Sequence, residues 1–335
     1  PVMIVAELSG NHGGSLDRAL AIVDAAADAG ADAVKIQTYT PDSLTIDSDA
    51  EEFRVGGGTL WDGRTLHDLY AEAMTPWEWT GPLFERAAAR GLLAFSTPFD
   101  AAAVDFLEDF DPPAHKVASF ELVDHDLLAT VASTGRPVVL STGLAEAEEI
   151  DEAIGVLRAA GSGDLVVLWC NSAYPADPAE LNLRTIPDVA ARWDVSVGLS
   201  DHTMSSTSAV AAVALGACMI EKHVTLRRSD GGPDADFSLE PDELGAFVAA
   251  IREAEAALGD VSYGPTERER RSLAFRRSLF FVNDLAAGSV VGADDVRSIR
   301  PGQGLAPKHR GEVIGRTVAR DVTRGTPVAW ELLDG

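Results

Sequence analysis

Lysine is nearly absent from this chain. Of its 27 basic residues only Lys35, Lys116, Lys222 and Lys308 are lysines. Positive charge is scarce altogether: 53 acidic residues leave a formal net charge of -26. A phosphate backbone would be repelled by such a surface, which excludes non-specific nucleic-acid binding. Cysteine is limited to Cys170 and Cys218, both in apolar runs. No disulfide framework or cysteine metal spacing results, so both are expected in the core of a protein from a reducing, cytoplasmic compartment. No apolar run has membrane-spanning length and no signal peptide is visible, so no membrane partner is expected. There is no G-x-G-x-x-G after the first apolar run, which argues against a doubly wound dinucleotide-binding sheet.

What the chain does have is a rhythm. Short β-rich runs occur at 2–8, 33–38, 92–99, 115–120, 137–143, 165–172, 196–201 and 218–225, with alanine-rich amphipathic helical patterns between them. Gly30, Gly91, Gly135 and Gly161 follow those patterns, where a helix C-terminus needs a left-handed residue. Near-continuous apolar strands alternating with helices imply parallel strands buried on both faces. Eight units over about 250 residues predict a (β/α)8 TIM barrel, here residues 1–260. One connection, 39–77, is long enough to be functional. A polar stretch at 261–278 is predicted to be a linker, and 279–335 a small β-rich domain, marginal alone.

In a barrel of this kind chemistry belongs to the C-terminal ends of the strands. Those ends carry Glu7; Lys35 and Gln37; Thr97; Lys116, Ser119 and Glu121; Ser141; Asn171, Ser172 and Tyr174; Ser200 and His202; Lys222 and His223. Hydroxyls, lysines and carboxylates converging in this way suit an anionic, oxygen-rich substrate. His202 and His223 close two successive units, "GLSDH" and "MIEKH", and are candidate ligands of a shared metal. Lys35, inside "AVKIQT", would bury a charge at considerable cost unless it has a task or a partner. Lys222 has the opposite strand parity to His223 and is expected in an ion pair behind the barrel. Lys116 and Ser119 cannot both follow strand alternation, so one must come from the turn. Asn171 and Ser172 point oppositely, and either could face the site.

The stretches "AELSGNHGGSLDRALAIVDAAADAGADAVKIQTYTPDSLT", "KVASFEL", "STGLAEAEEI", "NLRTIPDVAARWDVSVGLSDHT" and "GACMIEKHVTLRRSDGGPDADFSLEPDEL" resemble the sialic acid synthase family. The C-terminal "AAGSVVGADDVRSIRPGQGL" and "IGRTVARDVTRGTPVAWELL" resemble its antifreeze-like (SAF) domain. "GGGTLWDGRTLHDLYAEAMTPWEW" and "RSIRPGQGLAPK" are most similar to the branch of the family that makes pseudaminic acid. The resemblance implies condensation of phosphoenolpyruvate with an open-chain N-acylated amino sugar, releasing phosphate. For that branch the sugar is 2,4-diacetamido-2,4,6-trideoxy-L-altrose. It implies a divalent metal, manganese above all, with magnesium or cobalt as substitutes, on His202 and His223. It implies that Lys35, Thr97, Lys116, Ser119, Ser141, Ser200 and either Asn171 or Ser172 hold phosphoenolpyruvate. Gln37, Glu121, Tyr174 and Asp234 would meet the sugar, and Glu7 would act on water. It also implies a domain-swapped homodimer in which Arg300, of "IRPG", reaches the partner's site. Rivals from other classes are a Schiff-base aldolase using Lys35 or Lys116 and a non-catalytic sugar-binding protein.

Overall fold

The computed structural model describes residues 1–334 apart from positions 57 and 59. Gly57 and Thr59 of the glycine-rich motif, and the terminal Gly335, lie outside the described residues. The chain divides into two compact units, Pro1–Gly259 and Asp260–Gly335.

The first unit is a closed barrel of eight parallel strands. They are β1 (Met3–Glu7), β2 (Ala33–Thr38), β3 (Leu93–Pro98), β4 (His115–Val117), β5 (Val138–Ser141), β6 (Leu165–Cys170), β7 (Ser196–Asp201) and β8 (Met219–His223). Neighbours pair in sequence order and β8 returns to β1, with Glu7 opposite His223. Strand alternation sorts the apolar residues into two cores. Outward residues such as Ile4, Val34, Leu140, Val167, Leu199 and Ile220 pack under the helices. Inward residues Val5, Ala33, Phe95, Val139, Leu168 and Met219 fill the barrel as a plug. β7 contributes Gly198 to this plug. A methyl there would lie 2.4 Å from the Met219 carbonyl oxygen and 2.5 Å from Leu168 Cδ2, so no side chain fits.

The helices are α1 (Leu16–Asp28), the short α2 (Pro41–Leu44), α3 (Leu66–Ala73), α4 (Thr80–Ala89), α5 (Ala101–Glu108), α6 (His125–Ser133), α7 (Ala147–Ala159), α8 (Thr185–Trp193), α9 (Thr207–Ala214) and α10 (Pro241–Leu258). Local signals start them: Ser15, Thr65, Asp100 and Asp124 accept backbone N–H bonds as N-caps of α1, α3, α5 and α6. Gly30, Gly91, Gly135 and Gly161 all have positive φ, as their placement after helices predicts. Among its described residues, the long connection after β2 contains α2 and α3. Behind the barrel, Lys222 Nζ lies 3.2 Å from Asp201 Oδ2 and also donates to the Thr203 carbonyl, which accounts for this buried lysine structurally.

The second unit contains antiparallel pairs, β9 (Ser278–Phe281) with β10 (Val296–Ile299) and β11 (Thr317–Val318) with β12 (Leu333–Asp334). Its own small core gathers Leu279, Phe281, Val296, Val313, Val318 and Val328. Residues 269–275 form a 3-10 helix before β9.

Candidate active site

The site is one layer above the plug. Two residues beyond each inward apolar residue, alternation must again point inward, and there the chain turns polar. Val5 is followed by Glu7, Ala33 by Lys35, Phe95 by Thr97, Val139 by Ser141, Leu168 by Cys170, Gly198 by Ser200 and Met219 by Glu221. A cavity of about 430 Å³ opens above them. Its lining includes Lys35, Gln37, Thr97, Lys116, Ser119 and Glu121 from the first four units, and Ser141, Tyr174, Ser200, His202, His223 and Asp234 from the rest.

The charges are arranged about Lys35. Its Nζ lies 2.5 Å from Glu7 Oε2 and 3.6 Å from Glu221 Oε1, and donates to Thr97 Oγ1 at 3.2 Å. Burial pulls the lysine down, but the two carboxylates outweigh it, so Lys35 stays an ammonium. Burial raises the Glu7 carboxyl above its usual range despite Lys35. Glu221 is held below its usual range: burial pushes it up, but Lys35, Lys116 and His202 prevail. Burial lowers the Lys116 amine, whose Nζ donates to the Val117 carbonyl at 2.8 Å. Above this group, Gln37 Nε2 donates to Glu7 Oε1 at 3.0 Å and to Ser9 Oγ at 3.3 Å. The Ser9 hydroxyl in turn donates to the carboxylate of Asp234. Glu121, mostly buried, is pushed up to about 7 by burial against the pull of Lys116. Ser119 comes from the 3-10 turn after β4, and its hydroxyl accepts from the Gly143 N–H at 2.9 Å.

His202 and His223 stand with ring centroids 5.3 Å apart. Tyr174 packs at 4.4 Å from His202, and Phe237 at 5.0 Å from His223. His202 Nδ1 faces the Asn171 carbonyl at 2.8 Å. A carbonyl only accepts, so that nitrogen carries a proton; burial pulls the ring down, but the Cys170 thiol and this carbonyl outweigh it and hold His202 above its ordinary value. Burial, then His202 and the nearby lysines, lower His223 well below its ordinary value, so it is a neutral imidazole. Its buried Nδ1 has no hydrogen-bond partner among the described residues. No group of three His, Cys, Asp or Glu residues among the described residues makes a complete metal cage.

Some expected contributors are placed elsewhere. The Asn171 side chain does not line the cavity; its Oδ1 accepts from Ala173 N–H at 2.9 Å, and only its carbonyl serves the site, through His202. Ser172 is also outside the lining, with Oγ 3.9 Å from Cys170 Sγ. Arg300 is an exposed residue just after β10 in the second unit. Neither cysteine is plain core: Cys170 lines the cavity, 3.9 Å from His202 Nδ1, and Cys218 is exposed. Glu221 and Cys170 were missed although parity reveals both. Glu221 is two residues before His223 and Cys170 two after the plug residue Leu168. Ser9, Tyr39, Phe99 and Phe237 also line the cavity, from turns and strand ends that carry no periodic signal.

This ring of strand-end groups coincides with a family match: the NeuB family model covers residues 22–263. The chain belongs to the NeuB family. The SAF domain model covers residues 276–334. Among NeuB relatives, the pseudaminic acid synthase of Campylobacter jejuni (serotype O:2) is 45% identical over 97% of this chain and 94% of its own. That of Helicobacter pylori is 39% identical over 98% of this chain and 97% of its own. The crystal structure of an N-acetylneuraminic acid synthetase from Leptospira borgpetersenii is 32% identical, covers 82% of this chain and 90% of that one, and superposes with a TM-score of 0.72.

Proposed function

We propose that this chain is a pseudaminic acid synthase, a transferase that joins phosphoenolpyruvate to 2,4-diacetamido-2,4,6-trideoxy-L-altrose and releases phosphate. The observation that carries this reading is the cationic and hydroxyl ring of Lys35, Thr97, Lys116, Ser141 and Ser200 beside the two histidines in one cavity. The 45% identity to the Campylobacter enzyme, against 32% to the N-acetylneuraminic acid synthetase, favours the pseudaminic branch. An N-acetylneuraminate or legionaminic acid synthase is the alternative within the family.

Lys35 and Lys116, with the hydroxyls around them, suit the phosphate and carboxylate of phosphoenolpyruvate. Ser141 Oγ is buried without a hydrogen-bond partner among the described residues, and so is Glu121 Oε2 on the sugar side. Each is an acceptor or donor kept for a ligand. Carbon 3 of phosphoenolpyruvate forms the new bond to the sugar's aldehyde carbon, whose oxygen takes up the electron pair and then a proton. Carbon 2 becomes electron-poor and water adds to it. Glu7, held by Gln37 and Lys35, takes the water proton, and the carbon–oxygen bond to phosphate breaks. Gln37, Glu121, Tyr174 and Asp234 orient the sugar. His202 and His223 would hold a divalent ion, manganese first and magnesium or cobalt otherwise. Two imidazole nitrogens, with substrate and water oxygens for the rest, suit a hexacoordinate ion. When bound, it would supply Lewis-acid stabilisation to the aldehyde oxygen.

Schiff-base chemistry is poorly served at Lys35, an ammonium between two carboxylates. As part of the same reading, the enzyme is a cytoplasmic homodimer in which Arg300 of the partner subunit completes each site. Mixing His202→Ala and Arg300→Ala subunits should then restore activity. The deciding experiment for the function measures phosphate release from phosphoenolpyruvate with the altro sugar, its manno isomer and N-acetylmannosamine. A higher kcat/KM with either competitor would overturn the pseudaminic assignment.

A further inference from the structure

Among the described residues, five that are not glycine have a positive φ: Ser9, Asp111, Leu144, Asn182 and Asp194. Three of them are Asp or Asn, whose short polar side chains tolerate that region. Asp111, Leu144, Asn182 and Asp194 are all exposed. Ser9 alone is buried, with φ 47°, and it lines the cavity.

The strain belongs to the turn that follows β1. The Asn11 N–H donates to the Leu8 carbonyl at 3.2 Å, so Ser9 and Gly10 are the two central residues. The first has a positive φ and the second does not, a turn in which glycine is the ordinary choice at the first place. Here the glycine stands second. Gly10 serves space instead, since a Cβ on it would lie 3.1 Å from the Ala73 Cα of α3. The place that calls for glycine therefore carries a side chain, and strain kept inside a cavity points to a task. That side chain joins groups the reaction uses separately. The Ser9 hydroxyl donates to the Asp234 carboxylate and accepts from Gln37 Nε2 at 3.3 Å. The Ser9 backbone N–H donates to Glu7 Oε1 at 3.0 Å, the oxygen that Gln37 Nε2 also reaches.

Resting on the proposed function for the roles of Asp234, Gln37 and Glu7, we infer that Ser9 is a positioning residue for the sugar. Its hydroxyl holds Asp234 and Gln37 in place for that substrate, while its strained backbone keeps an N–H on Glu7. The two parts separate by mutation. Ser9→Ala removes the hydroxyl and keeps the strain. Ser9→Gly removes the hydroxyl and relieves the strain. Either variant loses one hydrogen bond to a charged group, which should weaken sugar binding roughly 10- to 100-fold. Both keep the N–H on Glu7, so the loss should fall on KM for the sugar and spare kcat. KM for phosphoenolpyruvate, held by other residues, should not move.

The test titrates alditols of the three panel sugars, reduced at C1 so that they cannot react, into the full chain by calorimetry. Phosphoenolpyruvate and manganese are present, and the alditol that wild type binds tightest is the reporter. Steady-state kinetics with the parent aldose and thermal melts run in parallel. Ser9→Gly should melt above Ser9→Ala, because it sheds the strain, yet both should bind the alditol equally poorly. Ser9→Gly, the milder change, is also built on Asp234→Asn. There it should weaken the alditol by no more than about twofold further, as expected of a residue that acts through Asp234. Affinity that recovers in Ser9→Gly together with the melting temperature would mark a merely structural serine and overturn the inference. So would unchanged affinity in the folded variants, full additivity with Asp234→Asn, or an equal loss for phosphoenolpyruvate. Failure of wild type to bind any of the alditols would overturn it too. Alditol binding that depends on Ser9 in an enzyme that releases no phosphate would sink the synthase reading and leave the positioning role standing.

Discussion

Replacing Lys35 with Met removes the cation that Glu7 and Glu221 share. The wild-type contacts are 2.5 Å and 3.6 Å, and all three groups are buried. At an effective dielectric of about 20, such distances correspond to gross attractions of about 7 and about 5 kcal/mol. Desolvation of the ammonium offsets much of this. Removing one partner of a buried pair nevertheless costs about 3–5 kcal/mol, because the carboxylates are left uncompensated. At about 2 °C per kcal/mol for a unit of this size, the barrel should melt roughly 6–10 °C lower. The loss should depend on pH. Burial already raises Glu7, and Lys35 is first among the charges that hold Glu221 down. Without Lys35 both carboxyls have folded pKa values above their unfolded ones. Such a group stabilises the fold below the unfolded pKa and loses that contribution as pH rises through the folded pKa. The deficit should therefore be small near pH 5 and full near pH 8. Thermal melts of wild type and variant, followed by circular dichroism at both pH values, measure it. An equal deficit at the two pH values would refute the shared-cation argument.

Chelation should abolish phosphate release and manganese should restore it, and His202→Ala or His223→Ala should remove the restoration while leaving the melting profile intact. Full turnover in metal-free enzyme would disprove the metal assignment. Glu121, pushed up to about 7, is neutral below that pH and a carboxylate above it. The pH profile of kcat/KM for the sugar should inflect there, and Glu121→Gln should erase the inflection. Gly198→Ala would place a methyl 2.4 Å from a backbone oxygen, so it should destabilise the barrel by about 1–3 kcal/mol or more, read as a lowered melting temperature.

Much of this protein was written locally. Eight apolar runs separated by glycine-terminated helices imply parallel strands closed by helices, because each strand must bury both faces. Period-two alternation then determines which strand-end residues look inward. Glu7, Lys35, Thr97, Lys116, Ser141, Ser200, His202 and His223 follow from it, and Glu221 and Cys170 were there to be read by the same rule. Lys222, of opposite parity, belongs to the outer layer, where Asp201 neutralises it. Other features depend on residues far apart in the chain. The Asn171 carbonyl faces the site, where it accepts from Nδ1 of His202, just beyond the next strand. Burial raises Glu7 although Lys35 pulls it down, whereas for Glu221 the charges of Lys35 and Lys116, from other strands, and of His202 outweigh burial. Ala73 of α3 packs closely on the turn after β1 because Gly10 has no side chain there. Alternation acts along one strand, whereas electrostatic balance and close approach act through space, and only the closed barrel brings those partners together.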